Sequence, residues 1–171
     1  MNIEGFERKL REARFFLDKM IDHERMAFRD KEPFDFYLSA FLNAGRTVDY
    51  RLRYEQAAVY PNWRIGWDAS HQAEQALIKF MVDERNDEVH ESGGSSPSVE
   101  TMIAELKAGT YRLPGGGTHT IAGPPGTTLA SVQVPAYCFT VDGTDRKVTE
   151  ACEEYLALLG RMVAKFKADH T

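Results

Sequence analysis

Four stretches of the chain repeat apolar residues at intervals of three and four, the spacing of one buried face of an α-helix. Polar residues fill the positions between them, as expected for helices that pack into a bundle. The four sets of apolar positions are Phe6, Leu10, Ala13, Leu17 and Met20; Phe34, Leu38, Phe41, Val48 and Leu52; Ala73, Leu77 and Phe80; and Val148, Cys152, Tyr155, Leu159, Met162 and Phe166.

Local signals indicate where these helices begin and which small residues they bury. Pro33 suits the first turn of the second helix, and either Asp68 or Ser70 can cap the third. Gly45 falls on the apolar stripe of the second helix, which predicts a close helix crossing; the alternative is a small residue that the helix tolerates. Cys152, on the fourth stripe, is interpreted as a core residue rather than a reactive thiol.

The composition changes between the third and fourth stripes. Ser96 and Pro97, followed by SVETMIAELKA, predict a short helix that Gly109 would end. Residues 109–143 are rich in Gly, Pro, Thr and Val and predict a small antiparallel hairpin or three-stranded flap. We therefore predict one mainly α domain over residues 1–171: a bundle of four long helices at 3–92 and 145–168, with the short helix and the β insertion at 97–143.

Composition excludes several classes of protein. The length of 171 residues suits one domain, and the net charge of −5 argues against a broad basic surface for nucleic acid. No apolar run reaches the roughly 18 residues of a bilayer span, and the N-terminus lacks the apolar core of a signal peptide. We expect a cytoplasmic protein with no membrane association, and reduced thiols at Cys138 and Cys152.

Two local groups of basic residues remain compatible with a phosphate-binding cleft. They are solvated helix faces in one interpretation and phosphate contacts beside a site in the other. The first helix contributes Arg8, Lys9, Arg11, Arg14 and Lys19, and the second contributes Arg46, Arg51 and Arg53.

The stretch ERNDEVHESGG, residues 84–94, carries the most distinctive chemistry. Asn86 and His90 are four residues apart on one helix face, so the amide can orient the imidazole. Arg85 and His90 are separated by about 140° in azimuth and about 7.5 Å along the axis. They can therefore flank a phosphate diester, but they cannot close on a single atom directly.

These residue types suit RNA cleavage. Histidine moves protons near neutral pH, and the arginine fork stabilises charge on phosphate oxygens. The ribose 2′-hydroxyl of RNA is an internal nucleophile, so the reaction needs no metal or cofactor. The structural alternative is a helix end in which His90 stabilises the macrodipole. In that alternative Asp83, Glu84, Asp87, Glu88 and Glu91 form a solvated face, which would repel an RNA backbone.

The pattern Arg85-Asn86-x-x-x-His90, at the end of the third long helix of a small bundle, resembles the signature of the HEPN superfamily. That signature is an Arg, usually followed by a polar residue, with a His four to six residues beyond the Arg. The resemblance covers residues 3–92 and 145–168, whereas the β insertion departs from the minimal helical bundle.

The resemblance implies a metal-independent endoribonuclease of the kind found in toxin–antitoxin and defence systems. His90 would be the general acid and base, Arg85 would stabilise charge in the transition state, and Asn86 would orient or assist. Such domains commonly form homodimers in which two motifs face one cleft, and an antitoxin or nucleotidyltransferase can be their partner. Some members are non-catalytic and bind a nucleotide, RNA or a partner protein, which is the alternative function.

Other polar and aromatic residues allow further interpretations. His71 is read as a cap or surface residue in the first turn of the third helix, and His119 as a strand-surface residue. The run Asp22-His23-Glu24 could contribute to a metal-binding bundle, although the Glu-x-x-His pairs of di-iron bundles are missing from the first two helices. Trp63 and Trp67, near Tyr60, are expected to pack the connection between the second and third helices; the alternative is that they stack on bases.

Overall fold

The computed structural model describes residues 3–24, 31–90, 98–112, 117–141 and 143–170. These ranges are mainly helical, with small antiparallel sheets, in agreement with the predicted class. The elements in chain order are α1 Ile3–Glu24, α2 Lys31–Glu55, α3 Tyr60–Ser70, a 3-10 turn Gln72–Glu74, α4 Gln75–His90, β1 Ser98–Lys107, β2 Gly109–Arg112, β3 Thr118–Ile121, β4 Thr128–Val141, β5 Thr144–Lys147 and α5 Val148–His170.

The core lies between the helices. α1 packs along α2, and α5 packs against α1, α2 and α4. The apolar stripes predicted for α2 and α5 are buried throughout, and on α1 only Leu10 is partly exposed. The largest fully buried side chains include Phe6, Phe34, Phe41, Tyr60 and Phe166. Long helical periodicity therefore predicted these three helices correctly, because each buries one continuous face.

Gly45 lies where α2 and α5 cross closely, as predicted. A Cβ atom at this position would lie 3.0 Å from Tyr155 Cε1 and 3.4 Å from Leu159 Cδ1. The two helices approach this closely because position 45 has no side chain. Cys152, on the same part of α5, is fully buried, and burial raises the pKa of its thiol well above the ordinary value. Its interpretation as a core residue is confirmed.

The prediction that Asp68 or Ser70 caps the third long helix is wrong. Both residues lie at the end of an additional helix, α3, in which Pro61 occupies the first turn. The Ser70 hydroxyl donates back to the carbonyl oxygens of Gly66 and Trp67, at 3.1 and 2.9 Å. The chain then bends through the 3-10 turn before α4 begins at Gln75.

The apolar positions predicted for the third helix are distributed over two elements. Ala73 is exposed in the 3-10 turn, Leu77 is buried in α4, and Phe80 packs edge-on against Phe139 of β4. The predicted helix end at residues 91–94 and the start of the short helix at 96–97 lie outside the described residues.

The predicted short helix over SVETMIAELKA is wrong, because this segment forms β1. Strand β1 pairs antiparallel with β4 over its whole length, from Ser98 opposite Cys138 to Lys107 opposite Thr128. The spacing of Val99, Met102, Ile103 and Leu106 fits a helix equally well. Pairing with a long partner strand outweighs that local pattern, and the β-branched residues favour the extended form.

The β insertion extends over residues 98–147 and comprises two small sheets. One has the strand order β1-β4-β5, and the other is the hairpin β2-β3. β5 occupies residues 144–147, so α5 begins at Val148 rather than at 145. The last residues of β4 are buried against the bundle, where Tyr137 stacks on Phe34 with ring centroids 4.0 Å apart. Residues 117–131 are almost all exposed, so the insertion is anchored at one end.

No helix within the described ranges is both long enough and apolar enough to cross a bilayer.

Candidate functional site

The motif residues lie in the last turns of α4. The buried side of this helix includes Leu77, Met81 and Glu84, and Asn86 is half-buried. Arg85 and His90 belong to the helix, but their side chains lie outside the described part of the structure. Only their backbone positions therefore relate them to the surrounding surface.

A polar cleft with a cavity volume of about 260 Å³ lies beside α4, between α2, α3 and α5. Its walls combine four cationic side chains with two carboxylates, over an apolar floor contributed mainly by α4 and α5. The charged residues are Arg46, Asp49, Arg53, Arg64, Asp68 and Lys79. Arg46 and Arg53 are two of the three arginines that the sequence suggested for α2; the third, Arg51, pairs with Glu55 at 3.4 Å.

α4 faces the polar cleft through Ile78, Lys79 and Val82. With about 100° of rotation per residue, positions 85 and 90 lie about 70° to either side of the mean direction of these three residues. Along the helix axis they lie about 4.5 Å and about 12 Å beyond Val82. The two motif positions therefore lie on the same helix beyond Val82, at ideal-helix angles on either side of the direction that faces the polar cleft.

The wall of the polar cleft is a hydrogen-bonded network centred on Asp49, which is 8% exposed. Arg64 Nη1 donates to Asp49 Oδ1 at 2.6 Å and to the Tyr60 hydroxyl at 2.8 Å. The Tyr60 hydroxyl also donates to Asp49 Oδ1. Arg64 Nε donates to Asp68 Oδ1 at 2.7 Å. The network joins α2 to α3 and fixes the orientation of the guanidinium.

The electrostatics of this network follow from burial and from its charges. Burial raises the pKa of Tyr60, and the adjacent Asp49 carboxylate raises it further. Burial opposes the positive charge of Arg64, but the hydrogen bond to Asp68 and the charge of Asp49 raise the pKa of the guanidinium overall. Burial also raises the pKa of Tyr155. At neutral pH the network is a protonated arginine between two carboxylates, with neutral tyrosines beside it.

Two of the carboxylates that would repel RNA are occupied. Asp83 Oδ2 forms an ion pair with Lys79 Nζ at 3.0 Å. Glu84 is 8% exposed, so its carboxylate lies largely away from the surface that an RNA would contact. The side chains of Asp87 and Glu88, and residue Glu91, lie outside the described part. The acidic stretch is therefore less repulsive at Asp83 and Glu84 than the sequence alone suggested.

The basic residues of α1 do not line the polar cleft. Lys9 pairs with Glu12 at 2.8 Å, and the Lys19 ammonium lies 5.4 Å from the centroid of the Phe15 ring. Arg11 and Arg14 line a separate shallow depression of about 240 Å³. The helix-face interpretation fits Lys9 and Lys19 best.

The predicted packing role of the tryptophans is confirmed. Trp67 is 5% exposed, and Trp63 packs edge-on against Phe166 of α5 with centroids 4.9 Å apart. His71 is not in the first turn of α4: it follows α3 and stacks on Trp67. His119 is exposed on β3, as predicted.

Within the run Asp22-His23-Glu24, the side chains of His23 and Glu24 pack against neighbouring elements of the fold. Glu24 Oε2 accepts a hydrogen bond from the Thr149 hydroxyl at 2.9 Å and forms an ion pair with Lys147 Nζ at 2.8 Å. The ring of His23 is buried beside Phe34, with centroids 6.1 Å apart. Among the described residues, no three His, Cys, Asp or Glu side chains are grouped as metal ligands.

Sequence reasoning missed the Asp49, Tyr60, Arg64 and Asp68 network. The signal was present, because Tyr60, Arg64 and Asp68 are four residues apart and share one face once residues 60–70 are read as a helix. Asp49, in contrast, comes from α2, and no short-range pattern links it to α3.

No family model matches this chain, and no curated protein or solved structure is significantly similar to it. The function of the polar cleft therefore has to be inferred from its own geometry and from the motif on α4.

Proposed function

We propose that this protein is an HEPN-like, metal-independent endoribonuclease in which Arg85, Asn86 and His90 act on RNA. The observation that supports this most is the position of the motif on α4, the helix that also lines a cleft with four cationic side chains through Ile78, Lys79 and Val82. The resemblance of the motif to the HEPN signature supports the same reaction.

In the proposed reaction the 2′-oxygen of one ribose attacks the adjacent phosphorus. The O2′–P bond forms, the P–O5′ bond breaks, and the products are a 2′,3′-cyclic phosphate and a free 5′-hydroxyl. A neutral imidazole takes the 2′-hydroxyl proton, and an imidazolium delivers a proton to the departing O5′. His90 fills one or both of these roles, Asn86 orients its ring, and Arg85 stabilises the charge on the non-bridging oxygens.

The polar cleft contributes binding rather than chemistry. Arg46 and Arg53 offer cationic groups for the phosphates beside the cleaved bond. Arg64 has a different role, because its guanidinium is already held by Asp49 and Asp68. Arg64 shapes the wall, whereas the α2 arginines contact the RNA; of these, Arg46 forms only a longer ion pair with Asp49, at 3.8 Å.

A homodimer in which two motifs face one cleft would bring a second histidine to the reaction and supply the second proton-transfer group. Mixing Arg85→Ala protein with His90→Ala protein tests this arrangement. Recovered activity supports shared sites, because a mixed dimer would contain one intact set of groups. An antitoxin or a nucleotidyltransferase encoded beside this protein is the partner that a toxin–antitoxin or defence role would require.

The direct test is incubation of purified protein with a generic single-stranded RNA in EDTA. We expect cleavage that survives the chelator. His90→Ala should lower the rate by about 100-fold or more, as for loss of a general acid or base. Arg85→Ala should lower it by about 100-fold, as for loss of a charge-stabilising donor.

The matched controls are His119→Ala, an exposed histidine on β3, and Arg51→Ala, an arginine of α2 paired with Glu55 outside the cleft. Both should cleave within about twofold of the wild type, since surface substitutions rarely disturb a distant site. Equal activity in His90→Ala protein, or activity that EDTA abolishes, would contradict the proposal.

The alternative is a non-catalytic module that binds a nucleotide or a partner protein. A large aromatic cavity on α3 and α5, outside the motif, favours this second function. RNA that stays intact with wild-type protein, together with ligand binding that His90→Ala does not change, would select it.

A further inference from the structure

A groove of about 570 Å³ lies between α3 and α5. We call it the aromatic groove; Trp63, Gly66, Trp67 and His71 line one wall, and Arg161 and Lys165 line the other. Trp67 also lines the polar cleft, so the two cavities share this indole.

The α3 wall is a stack of three aromatic rings. Trp63 and Trp67 are four residues apart, with ring centroids 5.6 Å apart and planes 18° apart. Trp67 and His71 continue the stack, with centroids 3.6 Å apart and planes 20° apart. A stack of this kind can accept a further flat ring at the His71 end, whereas Trp63 already packs against Tyr60 and Phe166.

His71 also provides a defined hydrogen-bonding atom. Its Nδ1 lies 2.9 Å from the carbonyl oxygen of Trp67, so in the neutral ring Nδ1 carries the hydrogen and donates to that oxygen. Nε2 is then an acceptor, suited to an amino or imino N–H on the edge of a base.

The α5 wall carries exposed cations. The side chains of Arg161 and Lys165 are 53% and 60% exposed and lie one helical turn apart. Arg161 Nη2 lies 3.8 Å from Glu74 Oε1, a long ion pair. The nearby Asp169 carboxylate accepts a hydrogen bond from Trp63 Nε1 at 2.8 Å and forms an ion pair with Lys165 Nζ at 2.5 Å. The hydrogen bonds from Lys165 and Trp63 lower the pKa of its carboxyl. Each cation thus has one carboxylate partner, and each keeps further N–H donors that a phosphate can accept from.

Gly66 leaves the α3 wall open. It is exposed within a regular helix, and a Cβ atom at this position would meet no atom within 4 Å. A larger side chain at position 66 would therefore enter the groove without disturbing the packing of α3.

We propose that the aromatic groove binds a nucleotide, with its base stacked on the His71 end of the Trp63–Trp67–His71 rings and its phosphate beside Arg161 and Lys165. Flat aromatic faces and exposed cations on opposite walls match the two halves of a nucleotide. The ligand chemistry is the same for a free mononucleotide and for one residue of single-stranded RNA. Binding here goes beyond the proposed cleavage and does not depend on it.

The test titrates AMP, UMP and a short single-stranded RNA into His90→Ala protein, and follows tryptophan fluorescence. The His90→Ala background keeps the RNA intact. We expect quenching by the wild-type groove and at least tenfold weaker binding in Gly66→Leu, because leucine fills the space that the base needs. Gly160→Leu is the matched control, since a Cβ at position 160 also meets no atom within 4 Å but lies outside this groove; it should bind within twofold of the parent.

A second variant probes the phosphate half. Lys165→Gln should weaken nucleotide binding severalfold and leave nucleoside binding unchanged. It should also reduce the slope of log affinity against log salt concentration by about one. Quenching by mononucleotides assigns the groove to free nucleotides, and quenching by RNA alone assigns it to an RNA residue. Either result supports the proposal.

Absence of quenching by all three ligands would overturn the proposal, as would unchanged affinity in folded Gly66→Leu protein, checked by circular dichroism. Equal affinity for adenosine and AMP would overturn the phosphate assignment. The outcome is separable from that of the proposed function. Groove binding without RNA cleavage refutes only the nuclease, and cleavage without groove binding refutes only this inference.

Discussion

The network that forms the wall of the polar cleft predicts a specific loss of stability in Arg64→Met. Methionine keeps the apolar stem of the side chain and removes the guanidinium. Three hydrogen bonds are lost: to Asp49 Oδ1, to the Tyr60 hydroxyl and to Asp68 Oδ1. Asp49 then remains as a nearly buried carboxylate without its main counter-ion.

The magnitude follows from the burial of the pair. Removing one partner of a fully buried ion pair costs about 3–5 kcal/mol. Here the side chains of Arg64 and Asp49 keep 19% and 11% exposure, and Tyr60 still donates to Asp49. We therefore expect a loss of about 2–3 kcal/mol in the free energy of unfolding. In a chain of this size that lowers Tm by about 5–10 °C.

Urea unfolding followed by circular dichroism measures the effect. Adding Asp49→Asn to the Arg64→Met protein should recover about 1 kcal/mol, because it removes a nearly buried charge whose remaining ion pair is the 3.8 Å contact with Arg46. The control is Lys79→Met, which breaks an ion pair whose side chains are 81% and 51% exposed and should cost less than about 0.5 kcal/mol. A loss in Arg64→Met as small as that of the control, or no recovery with Asp49→Asn, would refute the reasoning.

Three further predictions concern the core. Burial raises the pKa of Tyr60 and Tyr155 in the folded protein above the ordinary tyrosine value of about 10. The stability that their neutral hydroxyl groups contribute is therefore fully present below about pH 10 and is lost as the pH rises towards the raised pKa values. These two should therefore ionise only with unfolding; full tyrosinate absorbance at 295 nm in folded protein would contradict this. Cys152 should react with a thiol reagent only as fast as the chain unfolds, and rapid labelling of native protein would exclude its burial. Gly45→Ala should destabilise by up to about 2 kcal/mol, because overpacking against Tyr155 costs about 1–3 kcal/mol and the better helix propensity of alanine offsets roughly 1 kcal/mol of it. Gly160→Ala, with open space, should be neutral or stabilising in the same urea titration.

The sequence predicted the long helices well because their signal is local and repeated. α1, α2 and α5 each present one apolar face over several turns, so periodicity alone identified them. The Gly45 crossing was also predictable, because a glycine on an apolar stripe marks a close approach.

The failures came from contacts that are distant in sequence. The segment of β1 has helical spacing, and only its pairing with β4 selects the strand. The polar cleft combines Arg46, Arg64 and Lys79 from three different helices, and no spacing pattern along the chain links them. For the same reason the motif on α4 could be found from the sequence, but the cleft that the same helix lines could not.

The central claim is that Arg85, Asn86 and His90 direct the 2′-hydroxyl of RNA onto its own phosphate. Analysis of the ends left on a cleaved RNA in EDTA tests this most directly. The proposed chemistry predicts 2′,3′-cyclic phosphate and 5′-hydroxyl ends, and no cleavage where a 2′-deoxy residue precedes the scissile bond. Ends bearing a 5′-phosphate, or cutting at the 2′-deoxy position, would contradict it.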